Sequence, residues 1–121
     1  MLTHVVTGNA ERDGDAYRGW FIGHFMPTGH QSTNAVEVKW GVHALHETRA
    51  RWATSARATT LSILIRGSIR IYFRDCEALL GEPGDYALWG RGVEHRWRIE
   101  ADDTVVLTVR WPSQAGDAAD L

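Results

Sequence analysis

One histidine in a glycine-rich segment is the residue of this sequence best placed to do chemistry. The segment GDYALWGRGVEHRW, residues 84–97, sets three glycines ahead of His95 and continues into an alternating stretch. A neutral imidazole binds metal ions, and near neutral pH it also exchanges protons, because its ordinary pKa is about 6.5. Two chemistries therefore compete for His95, that of a metal ligand and that of a general acid–base group in a pocket.

A metal site at His95 would need further ligands, since three or four nitrogen or oxygen donors must converge on one point. The nearest candidates are His43, His46 and Glu47, in GVHALHE. In a strand, His43 and His46 fall on opposite faces, whereas His43 and Glu47 share one. One divalent metal ion held by His95 with His43 or Glu47 is therefore an open alternative. Ordinary surface histidines are the interpretation that we favour.

Short strands separated by glycine and polar clusters dominate the pattern, and no stretch of a dozen residues shows a helical stripe. Residues 36–45 alternate clearly, with Val38 and Trp40 on one face and Lys39 and His43 on the other. We expect the polar face to contact solvent or another subunit. Gly67 is predicted to join two strands in a tight hairpin. The predicted strands are 18–25, 36–45, a short one around Trp52, 59–67, 68–73, 86–90, 93–100 and 104–111. Together they predict an antiparallel all-β sandwich or barrel.

The glycine spacing before His95 resembles the second motif of the cupin superfamily, G-x5-P-x-G-x2-H-x3-N. Gly84, Gly92 and His95 match this motif without a gap, whereas Gly90 replaces its proline and Ile99 its asparagine. The resemblance implies a small double-stranded β-helix, the jelly-roll barrel of cupins.

The first cupin motif, G-x5-H-x-H-x3,4-E-x6-G, is only partly present. Counting back from its last glycine places Thr60 where the family has glutamate. The two histidine positions then fall in ATSA, residues 53–56, or, with a longer loop, on Trp52 and Thr54. Two histidines and one carboxylate of the usual metal set are missing, so the resemblance leaves His95 as the matching ligand.

A pocket remains the simpler expectation for His95 if it points into the barrel as the resemblance implies. Trp97 follows His95 by two residues and Ser62 follows Thr60 by two, so each pair shares a face. The predicted ligand-binding residues are Arg51, Trp52, Thr54, Thr60, Ser62, His95 and Trp97. The alternative is that the tryptophans simply fill the barrel, as side chains do in small closed barrels.

Arginines cluster in the segment that replaces the first motif, at positions 49, 51 and 57. Such residues usually form a solvated face. The sharper hypothesis is that Arg49 or Arg51 reaches over the barrel mouth and holds a ligand carboxylate through both oxygens.

Length and charge limit the classes of partner. The 121 residues predict one domain, with a core over about 18–112 and a mobile arm (1–17) and tail (113–121). A net charge of −2 gives no basic field for nucleic acid or anionic lipid. The single cysteine, Cys76, and the absence of a signal or membrane segment predict a cytoplasmic protein.

Two functions follow from these residues. The first is a cupin-like protein that binds a small molecule in an aromatic barrel pocket, without the usual metal site. The second is an enzyme, with an improvised metal site or with His95 as the acid–base group of a metal-free isomerase, cyclase or epimerase. We also expect a homodimer, in which the apolar strand 18–25 joins the sheet edge of a second subunit.

Overall fold

A computed structural model describes residues 4–120, and strands are their main secondary structure. A four-residue helix, α1 (Ala10–Asp13), and a 3-10 turn (Asp15–Tyr17) precede the strands. The strands are β1 (Trp20–Ile22), β2 (Glu37–His43), β3 (Thr48–Ser55), β4 (Thr59–Arg66), β5 (Ile69–Phe73), β6 (Glu77–Leu80), β7 (Tyr86–Trp89), β8 (His95–Ile99), β9 (Thr104–Trp111) and β10 (Ala118–Asp120). The predicted all-β class is confirmed.

The strands form two five-stranded antiparallel sheets that face each other. The first sheet has the order β1-β2-β9-β4-β7 and the second β10-β3-β8-β5-β6. Because β4 belongs to the first sheet and β5 to the second, Gly67 carries the chain from one sheet to the other. The predicted hairpin at Gly67 is therefore wrong. Gly67 has φ of 93°, and a Cβ there would lie 2.2 Å from Thr104 Oγ1, so the corner requires glycine.

One half of the barrel interior is filled by aliphatic side chains. These buried residues are Leu64, Ile69, Ile71, Leu80, Ile99 and Val106, and we call them the packed half. Leu64 and Ile99 are inaccessible to solvent. Burial of each such side chain contributes roughly 1.5–3 kcal/mol, so this cluster is the main source of the stability of the fold.

The polar face of β2 points into the barrel, opposite to the sequence-based expectation. Glu37 is buried and Lys39 is largely buried, whereas Val42 on the opposite face is 42% exposed. The neighbouring strand β9 has the same arrangement, because Thr108 pairs with Lys39 and Arg110 pairs with Glu37. In this part of the first sheet, β2 and β9 therefore place polar side chains inside the barrel and apolar ones outside.

Both ends of the chain carry secondary structure within the described residues. The tail forms β10, in which Ala119 pairs with Thr54 of β3. Ser113, which precedes β10, is fully buried. Residues 1–3 of the predicted arm and Leu121 of the predicted tail lie outside the described residues. Among residues 4–120, no helix is long and apolar enough to cross a membrane.

Candidate functional site

The other half of the barrel interior contains a cavity of about 70 Å³, which we call the inner chamber. It adjoins a larger, more open space of about 620 Å³, the outer vestibule. Trp20, Lys39, Arg49 and Arg110 line both spaces and so form the mouth between them. The inner chamber is therefore a site inside the barrel that opens at this mouth.

Three cationic side chains converge at this mouth from three different strands. Lys39 lies on β2, Arg49 on β3 and Arg110 on β9. The indole of Trp20 supports two of them, because the Arg110 guanidinium carbon lies 4.4 Å and the Lys39 Nζ 5.9 Å from its ring centroid. Cation–π contacts of this kind fix the position of a cation without neutralising its charge.

These cations are only partly balanced by carboxylates. Arg49 donates a hydrogen bond to Asp120 of the tail strand. Neither Lys39 nor Arg110 has a carboxylate within ion-pair distance among residues 4–120. Burial, with repulsion from Arg110 and Arg49, lowers the pKa of Lys39. Burial lowers the pKa of Arg110 as well, although Glu37 opposes this shift. The mouth therefore holds buried positive charge in excess.

His95 lies deeper in the site and faces the inner chamber. Its Nδ1 is 3.2 Å from the carbonyl oxygen of Val93, which can only accept, so Nδ1 carries the proton and Nε2 is left as an acceptor. Burial, with repulsion from Arg110 and Arg49, lowers the pKa of His95. At neutral pH His95 is therefore an uncharged base.

His43 is the second imidazole of the inner chamber. Its Nδ1 lies 2.9 Å from the Glu47 carboxylate, and its ring packs 4.9 Å from the Trp97 ring. A Cβ on Gly41 would come within 2.7 Å of His43 Nε2, so the glycine makes room for the imidazole. His43 and Glu47, which were expected to share one face of a strand, are in contact, but His43 faces the barrel interior rather than solvent.

Hydroxyl groups line the remaining polar wall. Thr60 and Ser62 are buried and project from β4, and Ser62 Oγ lies 3.4 Å from Thr108 Oγ1 of β9. Ile69 and Ile71 form the apolar wall toward the packed half. The inner chamber can thus orient a small ligand by a few hydrogen bonds while enclosing its apolar part.

Four of the predicted ligand-binding residues line this chamber, and they are Thr60, Ser62, His95 and Trp97. The structure does not bring the other three there. Arg51 is exposed, and Thr54, which pairs with Ala119 of β10, is half-buried and does not line the chamber. Trp52 packs between guanidinium groups, 4.1 Å from that of Arg74 and 4.9 Å from that of Arg96. All three therefore lie on β3 away from the inner chamber, contrary to the sequence-based expectation.

An irregular register explains the misplacement on β3. Arg49 pairs with Trp97 and Ala53 with His95, so four residues of β3 span two of β8. Simple alternation fails across such a bulge. Of the two arginines considered for the mouth, it is Arg49 that lines the chamber and the vestibule.

The residues that sequence reasoning missed are Trp20, Lys39, Trp89, Thr108 and Arg110. Lys39 was expected on a face that contacts solvent or another subunit, and charged side chains such as that of Arg110 usually point outward as well. The residues that pair with Arg110 and Thr108 on the neighbouring strand indicate which face of β9 points inward. Thr60 and Ser62 were expected inside the barrel, and Thr60 pairs with Arg110 while Ser62 pairs with Thr108.

The chamber does not match the ligand set of a bound metal ion. His43 and His95 both line it, as the metal alternative requires, but no group of three histidine, cysteine, aspartate or glutamate side chains converges anywhere among residues 4–120. Where further donors would be needed, the mouth presents Lys39, Arg49 and Arg110, whose positive charges repel a cation. The residues present therefore fit an anion better than a metal ion.

Comparison with solved structures defines the fold. KdgF from Halomonas sp. superposes with a TM-score of 0.63 at 13% identity, covering 69% of this chain and 74% of that one. An uncharacterized protein with a double-stranded β-helix domain from Klebsiella pneumoniae gives 0.64 at 18% identity, covering 73% and 76%. A cupin superfamily protein from Desulfitobacterium hafniense gives 0.59 at 17% identity, covering 67% and 71%.

These similarities confirm the predicted jelly-roll class, and the chain has the fold of a small cupin domain. No protein-family model matches the sequence, and no curated protein is significantly similar to it. Identities this low define the fold alone, so function has to be argued from the site.

Proposed function

We propose that this cupin-fold chain binds a small organic carboxylate inside its barrel. The observation that carries the proposal is the largely buried positive charge of Lys39 and Arg110, for which residues 4–120 offer no carboxylate within ion-pair distance, with Arg49 beside them. Buried charges are costly unless they are paired, so an anion at the mouth would remove an unfavourable interaction and form charge-assisted hydrogen bonds.

The dimensions of the chamber narrow the ligand class. A volume of about 70 Å³ has room for about five water-sized groups. Ser62 and Thr108 supply hydroxyls, and Ile71 supplies an apolar wall. The ligand favoured by this lining is a short carboxylic acid, with its carboxylate at the mouth and a three- to five-atom body in the chamber. A hydroxyl or oxo group on that body would find hydrogen-bond partners.

Charge-matched pairs of compounds test this proposal. Short hydroxy and oxo acids and their primary amides, which share a carbon skeleton, would be added to the protein while its melting temperature is followed. We expect at least one acid to raise the melting temperature, because a ligand of the folded state stabilises it. Its amide should have no effect. Equal shifts from an acid and its amide, or no shift from any acid, would exclude carboxylate binding.

A second candidate function rests on the tautomer and charge of His95. The His95 ring lines the chamber with Nε2 as its acceptor, and its lowered pKa keeps it uncharged at neutral pH. A base in this position could remove a proton from carbon next to the ligand's carboxylate or carbonyl, as in an isomerisation or epimerisation. Here Lys39 and Arg110 would stabilise the negative charge that develops.

Proton exchange separates this enzyme from a simple binder. An acid that binds would be incubated with protein in D₂O, and loss of its proton signal at the carbon next to the carboxylate followed by NMR. Catalysed exchange that disappears in His95→Gln, with binding retained, supports the enzyme. Binding without exchange in the wild type supports a binding protein.

A further inference from the structure

The cations of the mouth lie between two spaces of very different size. The inner chamber measures about 70 Å³ and the outer vestibule about 620 Å³, and Lys39 and Arg110 line both. An unbranched acid whose carboxylate is held by these cations fills one of the two spaces. The carbon next to a carboxylate is tetrahedral, so a branched acid can extend one substituent into each space. The mouth therefore favours an acid that is branched at this carbon.

The vestibule offers an aromatic wall to the second substituent. The ring centroid of Phe25 lies 5.9 Å from that of Tyr17 and 6.2 Å from that of Trp20, and all three residues line the vestibule. Each of them is half-buried, so part of its surface is open to a ligand. Rings in this arrangement favour a flat apolar group.

The edge strands of both sheets border the same space. Strand β1 ends the first sheet and β10 ends the second, and each pairs with a single strand within residues 4–120. Trp20 of β1 and all three residues of β10, Ala118–Asp120, line the vestibule. An edge strand presents backbone N–H and C=O groups to which an amide can hydrogen-bond. The vestibule therefore suits a substituent that combines an amide with an apolar group.

We propose that the ligand is an N-acyl α-amino acid, either free or as the last residue of a peptide. This inference rests on the proposed function, because it takes the carboxylate to be held by Lys39 and Arg110. The amino-acid side chain, of three to five atoms, enters the inner chamber. The acylamino group lies in the vestibule, with its amide at a strand edge and its acyl group on the aromatic wall.

Charge at the mouth favours an acylated nitrogen over a free amine. A free α-ammonium group is two bonds from the carboxylate carbon, so Lys39 and Arg110 would repel it. The carboxyl groups of the vestibule compensate little, since Asp120 accepts a hydrogen bond from Arg49 and burial raises the pKa of Glu37. An amide nitrogen carries no charge and avoids this repulsion.

The same arrangement requires one handedness of the ligand. The mouth, the chamber and the vestibule each receive a different substituent of one carbon. The mirror-image ligand would have to place its acyl group in the chamber, which has room for about five water-sized groups. A benzoylamino group is larger than this. One enantiomer of an N-benzoyl amino acid should therefore bind at least tenfold more tightly than the other.

Calorimetric titration of the two enantiomers of N-benzoylvaline tests the proposal. The matched ligand is 3-methylbutanoate, which has the same side chain and carboxylate without the acylamino group. We expect the wild type to bind one enantiomer at least tenfold more tightly than it binds 3-methylbutanoate, because that enantiomer also occupies the vestibule. A tetrapeptide that ends in the same enantiomer of valine separates the two sources. Tighter binding of the tetrapeptide would identify a peptide terminus, and weaker binding a free N-acyl amino acid.

A substitution that fills the vestibule should remove this gain. Ala118 is exposed, lines the vestibule and shares its side of β10 with Asp120, so Ala118→Trp places an indole in the space. This variant should bind N-benzoylvaline at least tenfold more weakly than the wild type and bind 3-methylbutanoate equally well. The control is Ala115→Trp, at an exposed alanine outside the vestibule lining, and it should bind both ligands like the wild type.

The outcomes separate this inference from the function on which it rests. If 3-methylbutanoate binds and N-benzoylvaline binds no more tightly, the carboxylate site stands and the vestibule is not a subsite. Equal affinity of the two enantiomers, tighter binding of free valine, or full affinity in a folded Ala118→Trp would also overturn the inference. If neither acid binds, the inference and the proposed function fail together for this side chain. The comparison of enantiomers uses the wild type alone, so it decides the proposal whether or not Ala118→Trp folds.

Discussion

The two halves of the barrel interior differ in what they bury. The packed half excludes water around Leu64, Ile71 and Ile99, and its side chains are aliphatic. The other half, across the same strands, keeps a chamber lined by imidazoles, hydroxyls and cationic side chains. Ile69, Ile71 and Val106 belong to both, forming the wall between them.

This difference separates the part that stabilises the fold from the part that can act on a ligand. Filling both halves with aliphatic side chains would give a more stable barrel, because unpaired buried charge lowers stability. Polar groups that oppose folding are expected where they serve binding or catalysis. Substitutions in the two halves should therefore have opposite effects on stability.

The largest expected effect is in the packed half. Leu64→Ala should lower the free energy of unfolding by about 3 kcal/mol, because it removes apolar contacts and leaves a cavity. Urea denaturation measures this value. Leu79→Ala, at an exposed leucine, is the control and should change it by less than about 0.5 kcal/mol. A loss below about 1 kcal/mol for Leu64→Ala would show that this half is not tightly packed.

A substitution at the mouth is expected to increase the free energy of unfolding rather than to decrease it. Lys39→Met keeps the length of the side chain and removes its buried charge, so it should raise the free energy of unfolding by about 1 kcal/mol. Urea denaturation without ligand measures this change. Destabilisation by 1 kcal/mol or more would mean that Lys39 supports the fold itself.

Acid sensitivity should come partly from His95. Its pKa is lower in the folded protein than the ordinary value of about 6.5, so below that pH the unfolded chain takes up the proton first. The free energy of unfolding of the wild type should therefore fall as the pH is lowered from 7.5 to 5. His95→Gln should fall less over the same range. Parallel pH profiles for the two proteins would contradict a buried, uncharged His95.

The smallest expected effect is electrostatic coupling within the site. Arg110 is one of the charges that lower the pKa of His95. Arg110→Gln should therefore move this pKa back toward its ordinary value, as followed by NMR titration of the imidazole signals. Arg51→Gln, which removes an exposed arginine, is the control and should leave the titration unchanged. Equal titration curves for all three proteins would mean that Arg110 lies too far from His95 to act on it.

The fold was predictable because turn residues and strand alternation are local features. The glycine spacing around Gly84, Gly92 and His95 placed β7, β8 and β9 correctly, and the short strand around Trp52 is β3. The alternation of polar and apolar residues along one strand does not show which face of the strand points into the barrel. Val38 and Trp40 face outward, contrary to the usual distribution of apolar residues.

The candidate site was predictable where neighbouring strands could be compared. Thr60 and Ser62 share one face of β4, and their partners on β9 are Arg110 and Thr108. Reading the paired strands together would have placed Arg110 inside. The sequence does not show whether Arg49 or Arg51 lies at the mouth. The bulge in β3 decides this, and the bulge cannot be recognised from the alternation of polar and apolar residues.

The measurement to make first is calorimetric titration of the best-binding short carboxylate into three proteins, the wild type, Lys39→Gln and Arg51→Gln. We expect binding to weaken at least tenfold in Lys39→Gln, because the substitution removes a buried charge at the mouth. Arg51→Gln should bind like the wild type, since Arg51 lies outside the site. Equal affinity in Lys39→Gln and the wild type would contradict carboxylate recognition by the mouth cations.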